Sequence, residues 1–138
     1  MIILDTNVIS ELMRPSPSPQ VTEWLSQQDG QSVFLTTATE AEIRFGLALL
    51  PLGSRRKALE AAMNDMLDQE FRDRILPFDR AAAHLYSVIG AQRRAAGQPI
   101  SQFDCQIVSI ARSPGARLAT RNNNDFEGCG VMLVNPWL

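Results

Sequence analysis

An α/β layer fold with a mainly parallel central sheet is what the sequence predicts, on two observations. Short apolar runs of strand length (MIIL, SVFLTT, RILPF, ARLAT, VMLVN) alternate with longer stretches whose apolar residues recur at helical spacing. The first run, MIIL, shows no polar alternation, as expected of a strand buried on both faces in a parallel sheet. The length of 138 residues suits one domain, residues 1–138, and no repeat, linker or low-complexity segment interrupts it.

The elements follow in order. MIIL is strand one, ending at Asp5. VISELM opens a helix that Thr6 or Asn7 can cap, and the three prolines of RPSPSP break it within the domain. VTEWLSQQ is a second helix, with Val21, Trp24 and Leu25 on one face. SVFLTT is strand two. Thr37 or Thr39 can cap the helix after it, Glu40 and Glu42 stand in its first turns, and Ile43, Leu47 and Leu50 form its core stripe before Pro51 and Gly53 end it. Residues 54–69 form a helix with Leu59, Met63, Met66 and Leu67 inward. RILPF is strand three. AAAHLYSVIGAQRRAAG is a long helix closed by Gly97, and QPIS turns the chain into the helix FDCQIVSIAR. ARLAT, the loop RNNNDFEGCG and VMLVN complete the chain.

Composition excludes several classes. Net charge is −2, from 13 basic and 15 acidic residues, so a strongly basic nucleic-acid coat is absent, though a local basic patch is compatible. Lys57 is the single lysine; the other cations are arginines, the better phosphate forks. Cys105 and Cys129 are too few and too isolated for a disulfide scaffold or a zinc site. The apolar start meets Asp5 within a few residues, unlike a signal peptide, and no stretch approaches the ~20 apolar residues of a membrane span. A reducing cytoplasm is the expected setting.

The chemistry-bearing residues are acids. Ligand sites of open parallel sheets form at the carboxyl ends of the strands, and Asp5 stands at such an end. It reads either as the N-cap of the next helix or as a group that binds a cation. Glu42, near the start of the helix after strand two, is a solvated first-turn acid or a site residue; Glu40 lies roughly 200° round the same helix and cannot share its face. Asp104, at the start of its helix, is a cap or a ligand. Asn122 and Asp125 lie in the loop after ARLAT. Each acid alone has an ordinary explanation. Together they fall after strand ends or at helix starts, and such a cluster repels itself unless a divalent cation is present. Hard oxygen donors favour Mg²⁺ or Mn²⁺ over zinc, and a pair of such metals suits phosphodiester cleavage.

Four segments, MIILDTNVIS, TATEAEIRFG, GQPISQFDCQIVSIA and LATRNNNDFEGCGVMLVNPW, carry a resemblance across essentially the whole chain. In that order and spacing they resemble PIN-domain ribonucleases, most closely the toxin halves of VapBC and FitAB toxin–antitoxin pairs. The resemblance implies a three-layer α/β/α fold and a cytoplasmic, Mg²⁺- or Mn²⁺-dependent endoribonuclease. It also implies a homodimer that binds a small antitoxin and reaches DNA only through it, with no membrane role. By position, Asp5, Glu42 and Asp104 match the first three acids of the family's site, with Asp5 and Asp104 as primary metal ligands. The fourth falls at Asn122, where many relatives have Asp, or at Asp125. Thr6 and Asn7 match polar residues that support the first acid.

Other residues carry less. Arg121, just past a strand end, is the best placed phosphate contact; Arg55, Arg56, Lys57, Arg93 and Arg94 read as solvated helix faces. His84, the only histidine, reads as structural, and Cys105 as buried and inert. Two rival functions remain. An aspartyl-phosphate phosphatase would need a second acid where Asn7 stands and a supporting lysine. A PIN-fold binding module without strong catalysis, pairing with an antitoxin and DNA, is favoured by Asn122 alone.

Overall fold

The computed structural model describes all residues, Met1–Leu138. Five short strands, β1 (Ile2–Leu4), β2 (Val33–Thr36), β3 (Ile75–Leu76), β4 (Arg117–Ala119) and β5 (Leu133–Val134), form one sheet in the order β3-β2-β1-β4-β5. Every pairing is parallel, so the sheet is wholly rather than mainly parallel. Seven helices accompany it: α1 (Thr6–Leu12), α2 (Pro19–Ser26), α3 (Thr37–Ala48), α4 (Ser54–Asp65), α5 (Arg80–Ala95), α6 (Gln102–Arg112) and α7 (Asn123–Phe126).

The three layers follow from the two-residue period of the strands. Ile2 and Leu4 of β1, with Val33 and Leu35 of β2, join one core that Val8, Ile9, Val21, Ile43 and Met63 complete from α1–α4. Ile3 and Leu118 point the other way, into a second core with Ile89 of α5 and Ile107, Val108 and Ile110 of α6. All three residues of β1 are fully buried, which explains the unalternating apolar start. Burying a side chain of this size is worth about 1.5–3 kcal/mol, so the central strand is a principal anchor of both layers.

Some local expectations change. Asp5, not Thr6 or Asn7, caps α1: the helix starts directly after β1, the backbone oxygen of Asp5 already accepts from Val8 and Ile9, and its own φ/ψ is extended. Thr36, not Thr37 or Thr39, caps α3, its hydroxyl accepting from Thr39 N–H at 3.0 Å. RPSPSP does end α1, but Pro19 becomes the first residue of α2, where its missing N–H has no helical partner to lose. The helix expected over 54–69 is regular only to Asp65 and continues as a π-helical turn, Met66–Glu70. The loop after β4 contains the one-turn helix α7. Gly97, at φ 72°, follows α5 in the left-handed conformation that a glycine adopts without strain.

The strand order places a site. From β1 the chain builds outward through β2 to β3, then returns to the opposite side of β1 for β4 and β5. The carboxyl ends of β1 and β4 therefore flank the point where the winding reverses, where open parallel sheets leave a crevice.

Candidate active site

At that reversal lies a groove of about 610 Å³. Asp5, Glu42 and Asp104 line it together, with Asn7, Arg121 and Asn122 among the other walls. Three elements far apart in sequence deliver the acids: Asp5 from the end of β1, Glu42 from α3, and Asp104 from the first turn of α6.

Asp5 is the deepest of them, at 3 % exposure. Its backbone N–H donates to Ala119 O (2.9 Å), so the sheet ladder holds the residue in place. Oδ1 accepts from the Thr6 N–H and Oδ2 from the Thr120 hydroxyl, each at 2.8 Å. Cap and groove residue are thus one side chain in two roles. Burial pushes its pKa up to about 6, the Thr120 and Thr6 hydrogen bonds counteract, and the charges of Asp104 and Glu42 add to the rise. Asp104 is half-buried. Burial raises its pKa too, the Ser101 hydroxyl opposes that, and Asp125 and Glu42 reinforce it. Ser101 rather than Asp104 caps α6, accepting from the Asp104 N–H at 3.2 Å, so Asp104 is not the cap and lines the groove.

Glu42 is partly exposed and faces the groove. Glu40, as its position round the helix requires, points elsewhere and pairs with Arg44 at 2.8 Å. Asn122 lines the acid groove, whereas Asp125 lines a neighbouring concavity that shares Arg121 and Asn122 with it. Asp125 therefore reaches the acids through its field on Asp104 rather than as a wall of the groove.

The supporting polar residues form a web. The Thr6 hydroxyl pairs with that of buried Thr39 at 3.1 Å. Asn7 Oδ1 accepts from Arg121 N–H at 3.4 Å. Thr120, fully buried, donates to Asp5 and accepts from the Asn122 N–H at 3.0 Å, joining the end of β1 to the loop after β4. Sequence reasoning missed Thr120, which reads as the last polar residue of an ordinary strand. It also missed buried Glu11, which lines the groove and bonds Ser18 N–H and Arg14. The available signal for Glu11 was its position four residues after Asn7, on the same helix face. Arg121 lies over the Trp137 ring, 4.8 Å from its centroid, and Trp137 too lines the groove.

Among the bystanders, His84 is exposed, and Cys105 and Cys129 are buried free thiols whose pKa values burial raises. Arg93 is not a solvated cation: it is buried and donates to the carbonyls of Gln98 and Glu127, each at 2.7 Å.

The donor set suits a hard divalent cation. Three carboxylates around one groove hold mutually unfavourable charge, and a cation relieves it. No three acids stand close enough to form a ready-made cage. Asp5 and Asp104 could hold such a cation, since burial makes their charges costly to leave alone.

A PIN-domain family model matches residues 2–129. The chain belongs to the PIN-domain family. Over 99 % of its length, this PIN domain is 39 % identical to plasmid stability protein StbB of Pseudomonas syringae pv. tomato, covering 99 % of that protein. Over 99 % of its length it is 38 % identical to VapC ribonuclease Y4jK of Sinorhizobium fredii, covering 98 % of it. Among solved structures, FitAB bound to the IR36 DNA fragment contains a chain that matches with a TM-score of 0.92 at 38 % identity. That match covers all of this PIN domain and 96 % of the other chain. No helix here is long and apolar enough to cross a membrane.

Proposed function

We propose that residues 1–138 act as one PIN-domain endoribonuclease, the toxin of a toxin–antitoxin pair, and hydrolyse RNA phosphodiester bonds with Mg²⁺ or Mn²⁺ held at the acid groove. The observation that carries this reading is the convergence of Asp5, Glu42 and Asp104 on one groove at the sheet's reversal point, with Asp5 buried and its pKa raised to about 6. Similarity to a VapC ribonuclease over nearly the whole chain supports it.

In this reading Asp5 and Asp104 are the cation's protein ligands. When bound, the cation would lower the pKa of a water and offset charge on the phosphate. Glu42, partly exposed, orients the attacking water. Thr6, Asn7 and Thr120 hold Asp5 and its surroundings in position, and Asn122 or Asp125 supports a second, weaker cation. Arg121 forks a phosphate of the RNA. The partner is an antitoxin, with DNA contacted through it, by analogy with the FitAB–DNA complex. The toxin itself acts as a cytoplasmic homodimer. An arginine of the antitoxin entering the acid groove would silence it by charge pairing.

One observation favours the weaker reading, a PIN-fold binding module: the acids do not form a preformed three-ligand cage. The two separate in one experiment. Purified protein is incubated with a mixed RNA pool in Mg²⁺ or Mn²⁺, against EDTA and against Asp5→Asn, while calorimetry follows Mn²⁺ binding. Cleavage that requires both metal and Asp5 is expected. A folded chain that neither cleaves nor binds Mn²⁺ establishes the binding module.

A further inference from the structure

Beside the acid groove lies a second polar concavity of about 350 Å³, near the lower end of ligand-pocket sizes. Arg121, Asn122, Asn123, Asn124, Asp125 and Asn135 line it, with no apolar residue among them. Arg121 and Asn122 line both hollows.

Arg121 is held there in a defined attitude. Its backbone N–H is tied to Asn7, and the next residue's N–H to Thr120. Its guanidinium rests on Trp137, which packs against the first core. The backbone of Trp137 is fixed in turn by its N–H to Asn135 Oδ1 at 2.9 Å. Despite the acids nearby, Arg121 enters none of the chain's three ion pairs, which are Arg14–Glu11, Arg44–Glu40 and Arg56–Glu60. An oriented guanidinium without a carboxylate partner keeps its fork of donors for an anion from outside. The amides of Asn122, Asn123 and Asn124 are exposed, that of half-buried Asn135 keeps its NH₂ while its Oδ1 holds Trp137, and the Asn122 side chain is not spent on capping α7. Amides offer both a donor and an acceptor, the pattern that reads the edge of an unpaired base. With Arg121 against Asp125 the hollow carries balanced charge, unlike the acid groove, and does not repel a polyanion.

The geometry points to a nucleotide subsite in which Arg121, braced on Trp137, grips the phosphate next to the cleaved bond while Asn123, Asn124 and Asn135 contact the flanking unpaired base. This inference rests on the ribonuclease reading and adds where sequence preference resides. Trp137 is a positioning residue that acts through Arg121.

The test sequences the ends produced from a random-sequence single-stranded RNA pool and measures anisotropy of a labelled random 12-mer on the Asp5→Asn chain. Asn123→Ala/Asn124→Ala, at exposed positions that spare the fold, is expected to redistribute the bases flanking the cut. Arg121→Ala is expected to weaken binding about tenfold for all sequences and to lower the salt slope by about 0.7, the value for one single-strand phosphate contact. Trp137→Ala is expected to match Arg121→Ala, Trp137→Phe to restore binding, and the double variant Arg121→Ala/Trp137→Ala to be no worse than either single one. An unchanged end profile together with an unchanged salt slope, in a chain that cleaves, overturns the subsite and leaves the nuclease standing. If the wild type neither cleaves nor binds Mn²⁺, the nuclease reading fails and the subsite that rests on it falls with it.

Discussion

The two walls of the groove are built in opposite ways. On the strand side, buried Asp5 accepts from the hydroxyl of buried Thr120 and from the Thr6 N–H, and the Thr6 hydroxyl pairs with that of buried Thr39. On the loop side, Arg121 and Asn122 are exposed, and the loop is tied down chiefly by backbone N–H groups. The contrast teaches that one wall holds charge where water would otherwise weaken it, and the other offers donors where a large substrate can reach them. Burial makes each strand-side residue individually expensive to change, whereas exposure makes the loop-side ones tolerant.

Substitutions can break this contrast, beginning with the strand side. Asp5→Asn removes the deepest carboxylate and is expected to lower metal-dependent RNA cleavage by about a thousandfold. Circular dichroism should show the variant folded, and an active variant would refute the role assigned to Asp5.

Next in size is a pH effect from the same side chain. The folded pKa of Asp5, about 6, exceeds the ordinary 3.8, so between these values the folded chain binds the proton more tightly than the unfolded chain. Stability from this group is present below about pH 4, is lost as pH rises to about 6, and stays level above. At 1.36 kcal/mol per unit, the loss is about 3 kcal/mol in metal-free protein. Denaturant unfolding in EDTA checks it: Asp5→Asn should gain on the wild type as pH rises through this window. A difference that does not vary with pH would contradict the assignment.

Thr120→Val keeps the shape and removes one hydroxyl. It takes from Asp5 the hydrogen bond the Thr120 hydroxyl donates and leaves the Asn122 N–H without its acceptor. Such supporting contacts to a ligand are worth about 10–100-fold in metal affinity or activity; Mn²⁺ titration should show this loss. The smallest effect is expected on the loop side. Asp125→Asn should change cleavage by no more than about threefold and lower the pKa of Asp104, since Asp125 acts on it through its field. NMR titration of the Asp104 carboxyl would detect the shift, and a loss comparable to that of Thr120→Val would place Asp125 among the groove's own ligands.

Much of the fold was legible in the chain because strands and helices write different periods. MIIL could be read as a doubly buried strand, and Ile43, Leu47 and Leu50 as a stripe, before any coordinates. The separation of Glu40 from Glu42 was legible for the same reason: 100° per residue is a local fact. Caps were harder. Four threonines and an aspartate near two helix starts are all competent, and the choice depends on where each strand stops. That stopping point is set by pairing with another strand, as when Asp5 N–H extends the ladder to Ala119.

By itself, then, the sequence determined most of the strands and helices, that the sheet would be mainly parallel, and which acids stand at element ends. Only the tertiary structure decided that Asp5, Glu42 and Asp104 share a groove and that Thr120 bonds Asp5 from 115 positions away. The folded chain also decided that Asn122 rather than Asp125 walls that groove, that Arg93 is spent on carbonyls, and that Arg121 leans on Trp137. The physical reason is common to all of these. Periodicity and capping are properties of neighbours in the chain, whereas desolvation, field and hydrogen-bond partnership belong to neighbours in space, which strand order alone brings together.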